Sequence, residues 1–176
     1  MDTTRFDPFN DRLSRTIRNK LSVAFIESLT SMDPGPYRLQ AREFLDENPP
    51  PSHRAYIEVR LSRYDKAFEQ ISREEMTGDF AQALVLWNQE LFFEVHERLE
   101  IVFHRSKNEE RKAYQGMIKA AGVYIHFARG ADESARKLAA SASALLKEYG
   151  HALPSFDTLD ILLEKLDTFD PHPPRL

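Results

Sequence analysis

The sequence predicts an all-α protein, an antiparallel helical bundle with additional N-terminal helices. Apolar residues recur at the three- and four-residue spacing of amphipathic helices along most of the 176 residues. The chain has only 6 glycines, most of them near the ends of these periodic segments, and no segment alternates apolar and polar residues as a strand would. Short connections join consecutive helices, so neighbouring helices are expected to run antiparallel.

The N-terminal part of the chain is expected to contain three helices. The first is predicted over 10–31, because its apolar residues keep the helical period until the turn-forming segment 33–36 interrupts them. A shorter helix is predicted over 36–46. The proline-rich segment 48–51 then predicts a stiff connector, and a third amphipathic helix follows it up to the Thr-Gly-Asp turn at 77–79.

The remainder of the chain is expected to form the bundle itself. One helical pattern extends over 80–105, with a break expected near Asn88, and a second extends over 109–129. A helix rich in small residues is predicted over 132–148, where Gly150 would end it. A last helix is predicted over 157–166, before a proline-rich tail. The predicted organisation is therefore a helical extension packed on the bundle over 1–76, the core bundle over 77–150, and a final helix with a tail over 151–176.

Composition narrows the classes of function. The formal net charge of −4 provides no electrostatic argument for binding nucleic acid or an anionic membrane. The absence of cysteine excludes disulfides, thiolate metal sites and cysteine nucleophiles. No stretch approaches the roughly 18 consecutive apolar residues of a membrane span, and the first residues lack the apolar core of a secretion signal. We therefore expect a cytoplasmic protein with no membrane span.

The most informative segment is 91–100, where one histidine and three carboxylates lie in a strongly apolar helix. On a helical wheel, His96, Glu97 and Glu100 form a polar edge beside the apolar face, and Glu94 is expected to face water. Charged groups next to a core cost free energy unless they are paired. The segment therefore predicts a partner for these side chains, either in the protein or in a ligand.

The following helix offers a counterpart to this polar edge. Gln115 and His126 lie on one stripe of that helix, so they could face His96 and Glu100 if the two helices pack antiparallel. Gly116 lies next to Gln115 and lowers the intrinsic stability of a helix by about 1 kcal/mol relative to alanine, as does Gly122. Close packing against a neighbouring element would explain both glycines.

Two hypotheses account for the polar residues, and the sequence leaves open whether the protein is an enzyme. In the first, His96, Glu100, Gln115 and His126 form a buried hydrogen-bonded network. The protein would then be a non-enzymatic helical module that associates with a protein partner or with itself.

In the second hypothesis, His96, Glu100 and His126 bind a divalent ion such as Zn²⁺, Fe²⁺ or Mn²⁺, for which imidazole and carboxylate are suitable ligands. Glu97 would serve as the general base of a metal-dependent hydrolase.

Several short blocks resemble those of one protein family. They are Leu-Trp-Asn at 86–88, Phe-Phe-Glu-Val-His-Glu-Arg-Leu-Glu at 92–100, Gln-Gly at 115–116, Tyr-Ile-His at 124–126, and Gly130. Together they are similar to the bacterial and archaeal domain-of-unknown-function 309 family, over about residues 80–148. The resemblance implies a small all-helical bundle without an assigned biochemical activity.

The resemblance also implies which residues define the family. Its characteristic side chains correspond here to His96, Glu97 and Glu100, and to Gln115 and Gly116. Two positions depart from the family pattern. Glu90 replaces a frequent glycine, so the break near Asn88 is expected to be straighter in this chain. Phe103 replaces the usual tryptophan, which changes an aromatic contact without removing it.

Overall fold

The computed structural model describes residues 5–154 and 157–176, and within these ranges all regular structure is helical. The predicted all-α bundle is confirmed. The chain divides into two compact units, Met1–Glu75 and Met76–Leu176. Within the described ranges, no helix combines the length and the apolarity needed to cross a membrane.

The first unit contains three helices, α1 (Arg12–Ser31), α2 (Gly35–Asp46) and α3 (Pro51–Arg73). Its core is aromatic, since Phe25 of α1 stacks on Tyr64 of α3 with ring centroids 4.0 Å apart. Residues 48–50 connect α2 to α3 inside this unit. Pro51 is the first residue of α3, a position where its fixed φ favours a helix and its missing N–H costs nothing.

The start of α1 is tied to the start of α3 by a buried polar contact. Asp11 caps α1 by accepting a hydrogen bond from the Ser14 backbone N–H at 2.7 Å. The Ser14 hydroxyl lies 3.0 Å from Nε2 of His53, and both side chains are buried. Hydrogen bonds from Ser14 hold the pKa of Asp11 well below its usual range, and His53 contributes to the same shift. Asp11 therefore takes part in this contact as the ionised carboxylate.

The second unit contains α4 (Asp79–Asn88), α5 (Phe92–Arg105), α6 (Asn108–Ala128), α7 (Asp132–Tyr149), a 3₁₀ turn (Gly150–Ala152) and α8 (Leu159–Asp167). Each helix packs on the next one along the chain, with the most extensive packing between α6 and α7. The position of α5 between α4 and α6 decides which of its side chains are buried.

A tight turn separates α4 from α5, and it corrects the expectation of a straighter break. Glu90 adopts the left-handed conformation with φ of 53°, which a glycine would adopt at lower cost. The turn is closed by hydrogen bonds from the Glu90 N–H to the Trp87 carbonyl and from the Leu91 N–H to the Leu86 carbonyl. The sharp change of direction is thus kept without the glycine of the family pattern.

Candidate functional site

The buried face of α5 differs from the predicted one. Val95 and Leu99 lie in the core as expected, and they are flanked by two charged residues, Glu94 and Arg98. Glu94 is 0% exposed, so the expectation that it faces water is wrong. The prediction assumed that only apolar side chains point inward, whereas α4 supplies polar groups that can be buried against α5.

Arg98 is the centre of this buried polar contact. Its guanidinium donates a 2.6 Å hydrogen bond to the side-chain oxygen of Gln82 and forms a 2.9 Å ion pair with Asp79. Gln82 in turn donates to the carbonyl of Met76 at 2.6 Å. Burial lowers the pKa of Arg98, and the nearby Asp79 carboxylate opposes that effect. In the described part of the bundle, α4 and α5 therefore form a buried polar cluster that the sequence did not predict.

Because α5 buries the face that carries Val95 and Arg98, His96, Glu97 and Glu100 lie on its half-exposed side. One donor atom from each residue lies within 4.8 Å of the donor atoms of the other two. Nδ1 of His96 is 3.2 Å from Oε1 of Glu97, and the two side chains are 35% and 34% exposed. Solvent therefore reaches the group, which contradicts the prediction that these polar residues are buried.

This donor set suits a divalent transition metal ion. One imidazole nitrogen and two carboxylate oxygens match Zn²⁺ and Mn²⁺, and the carboxylates balance the charge of the ion. Ligands about 2.1 Å from a tetrahedral ion lie about 3.4 Å from each other. The donor atoms lie within 4.8 Å of one another and would need to approach by up to about 1.4 Å, a movement available to half-exposed rotamers.

The structure does not bring His126 of α6 into this group. His126 and Gln115 are half-buried, and the cluster of histidine and carboxylate donors in the described part of the chain does not include His126. Burial lowers the pKa of His126, and the positive charge of Arg129 lowers it further. Of the three predicted metal ligands, His96 and Glu100 therefore lie in the donor group and His126 does not.

His104 is a neighbour of the site that sequence reasoning missed. Its Nε2 lies 4.0 Å from Oε1 of Glu100, one helical turn away. The i to i+4 spacing between Glu100 and His104 is the signal that could have identified it. His104 is exposed and lies outside the close donor group, at its edge.

Gly116 belongs to a packing contact and not to a polar cluster. It is buried, and a Cβ atom at this position would lie 2.8 Å from Cγ of Leu146 on α7 and 3.3 Å from Cβ of Leu145. The helix-weakening glycine is explained by the close approach of α7, which is the packing reason expected from the sequence.

Gly116→Ala is therefore expected to lower the free energy of unfolding by about 1–2 kcal/mol, because overpacking outweighs the gain in helix propensity. Gly122→Ala is the matched control on the same helix. Its Cβ would meet only Cδ1 of Leu138 at 3.2 Å, the end of a flexible side chain. The free energy of unfolding of this control variant should lie between the wild-type value and about 1 kcal/mol above it. Urea unfolding followed by circular dichroism measures both, and equal effects would contradict the packing explanation.

A family model described as a domain of unknown function, DUF309, matches residues 80–138. This range contains α4 from its second residue, all of α5 and α6, and the start of α7, and it includes every residue of the donor group. No curated protein and no solved structure matches the chain.

Proposed function

We propose that the segment matched by the DUF309 model, residues 80–138, binds a divalent transition metal ion. The ligands are His96, Glu97 and Glu100 on the half-exposed side of α5. The observation that carries the proposal is the convergence of their three donor atoms within 4.8 Å.

The half-exposed position favours a ligand over a structural network. A buried network would need its polar atoms paired inside the protein, because unpaired buried groups cost about 1–3 kcal/mol each. Here water reaches all three side chains, so their polar atoms can be hydrated and need no partners inside the protein. A half-exposed group also leaves coordination positions of an ion open to water or to a further ligand.

The three donor atoms support binding of a metal ion but do not identify a reaction. Glu97 lies inside the group with His96 and Glu100, so it is a ligand in this proposal and not the separate general base of the hydrolase hypothesis. His126, the third ligand of that hypothesis, lies outside the group. Association with a protein partner or with a second copy stays a prediction that the donor group does not address.

Isothermal titration of the full chain with Zn²⁺ and with Mn²⁺ at pH 7 tests the proposal. Wild-type protein should bind one ion per chain. His96→Ala should weaken binding at least tenfold, since it removes the nitrogen donor, and Glu100→Gln should do the same while preserving the shape of the side chain.

His126→Ala is the control that separates this proposal from the ligand set predicted by the sequence. It should leave the affinity for the ion unchanged. Equal affinity in wild type and His96→Ala, or no binding in wild type, would contradict the proposal. A loss of affinity in His126→Ala that matches the loss in His96→Ala would restore the ligand set drawn from the sequence.

A further inference from the structure

The second unit holds an extended segment of its own chain against the end of α4. We define the tail segment as residues 169–176, which follow α8 and contain no helix. Nε1 of the buried Trp87 indole donates a 2.8 Å hydrogen bond to the carbonyl of Pro174, which is itself buried.

Asn88 binds the same segment through both atoms of its amide. Its Oδ1 accepts a 2.8 Å hydrogen bond from the backbone N–H of Leu176, and its Nδ2 donates to the carbonyl of Leu176. A side-chain amide that pairs with both backbone groups of one residue recognises an extended peptide without reading its side chain.

Aromatic contacts anchor the other end of the tail segment. The Phe169 ring lies 4.6 Å from the ring of Phe127 on α6, and the guanidinium of Arg136 lies 4.0 Å from the Phe169 ring centroid. The distance suits a cation–π contact. Between these anchors the segment contains three prolines, which lack an N–H and favour an extended conformation.

We propose that Trp87 and Asn88 form a docking site for an extended, proline-containing peptide of a partner protein, and that the tail segment occupies this site as an intramolecular ligand. The preferred ligand places a proline at the position of the buried Pro174 and offers a backbone N–H and carbonyl to Asn88 two residues later, as Leu176 does. This proposal is independent of the metal site on α5.

Two observations support the replacement of the tail segment by a partner peptide. Trp87 and Asn88 lie inside the DUF309 match at 80–138, whereas the tail segment lies outside it. The site thus belongs to the domain and the present occupant does not. The hydrogen bonds to the occupant also involve only its backbone, which any extended peptide offers.

The tail segment leaves one donor of this region unused. Tyr124 is in edge contact with the Trp87 indole and is 3% exposed. Within the described ranges its hydroxyl has no hydrogen-bond partner. Burial raises the pKa of Tyr124, and the charge of Asp170 adds to the shift, so the hydroxyl stays protonated. A partner peptide with an acceptor at this point would bind better than the tail segment.

The test uses the full chain and a fluorescent heptapeptide with the sequence of residues 170–176. In wild type the tail segment competes at a high effective concentration, so the peptide should bind weakly. Pro174→Asp places a charge where the buried ring lies and should release the tail segment. Fluorescence anisotropy should show the peptide binding to this variant at least tenfold more tightly than to wild type.

Substitutions in the site distinguish docking from nonspecific binding. In the Pro174→Asp chain, adding Asn88→Ala should reduce peptide affinity at least tenfold, whereas Gln89→Ala, the next residue along, should leave it unchanged. Peptide binding that is no tighter in Pro174→Asp, or that ignores Asn88→Ala, would overturn the proposal. A wild-type dimer that disappears in Asn88→Ala would assign the site to tail exchange between copies and would overturn the assignment to a partner peptide.

Hydrogen exchange of wild type covers the case in which Pro174→Asp fails to fold. An exchangeable ligand opens without unfolding the helices, so the Arg175 and Leu176 amides should exchange at least a hundredfold faster than the central amides of α6. Equal protection of these amides and α6 would show that the tail segment is part of the core, and the proposal would be wrong.

Discussion

Arg98→Ala is expected to lower the free energy of unfolding by about 3 kcal/mol. This value is at the lower end of the range of costs for removing one partner of a buried ion pair. Arg98 is 6% exposed and holds both Gln82 and Asp79. Its removal leaves the buried amide oxygen of Gln82 without its donor. The Asp79 side chain is 29% exposed, so water recovers part of its lost interaction and keeps the cost from being larger.

Urea unfolding of Arg98→Ala against Arg105→Ala measures this effect. Arg105 lies on the same helix and is exposed, so its loss should change stability by less than about 0.5 kcal/mol. If the two variants unfold at the same urea concentration, the buried contact between α4 and α5 contributes nothing to the fold.

Phe25→Ala is expected to cost about 3–5 kcal/mol, because it removes a fully buried ring from the core of the first unit. Phe25 stacks on Tyr64 and makes an edge contact with Tyr37 at 5.4 Å. A cavity at this point removes the contact with Phe25 from both tyrosine rings, which keep their edge contact with each other at 5.7 Å, and Tyr37 keeps its contact with Phe68.

Val23→Ala is the matched control for this substitution. It removes apolar atoms from the same helix at a position that is 62% exposed, so it should change stability by less than about 0.5 kcal/mol. Hydrogen exchange of the amides of α1, α2 and α3 locates the effect. Equal protection in the Phe25→Ala and Val23→Ala chains would contradict an aromatic core centred on Phe25.

The sequence was a good guide to the helices and a poorer guide to their orientation. Apolar periodicity identified each helix, because burial in a bundle selects apolar residues every three or four positions. It could not orient α5 correctly, since the burial of Arg98 depends on Asp79 and Gln82 of another helix. A single helical wheel contains no information about the polar groups of its neighbours.

The candidate site was predictable within one helix and not between helices. His96, Glu97 and Glu100 share a side of α5 because of their spacing alone, and the structure brings their donor atoms together. The pairing with His126 and Gln115 required the relative rotation of α5 and α6, which small residues and tertiary packing decide. Gly116 illustrates the difference, since its environment is set by Leu146 of α7.

The measurement that most directly tests the central claim is the effect of substoichiometric Mn²⁺ on the amide NMR spectrum of the full chain. A paramagnetic ion broadens the signals nearest to it, so the spectrum locates the ion on the sequence. We expect the amides of residues 93–101 to broaden first in wild type and to stay sharp in Glu100→Gln. Broadening that begins elsewhere, or that is identical in Glu100→Gln, would contradict a metal site formed by His96, Glu97 and Glu100.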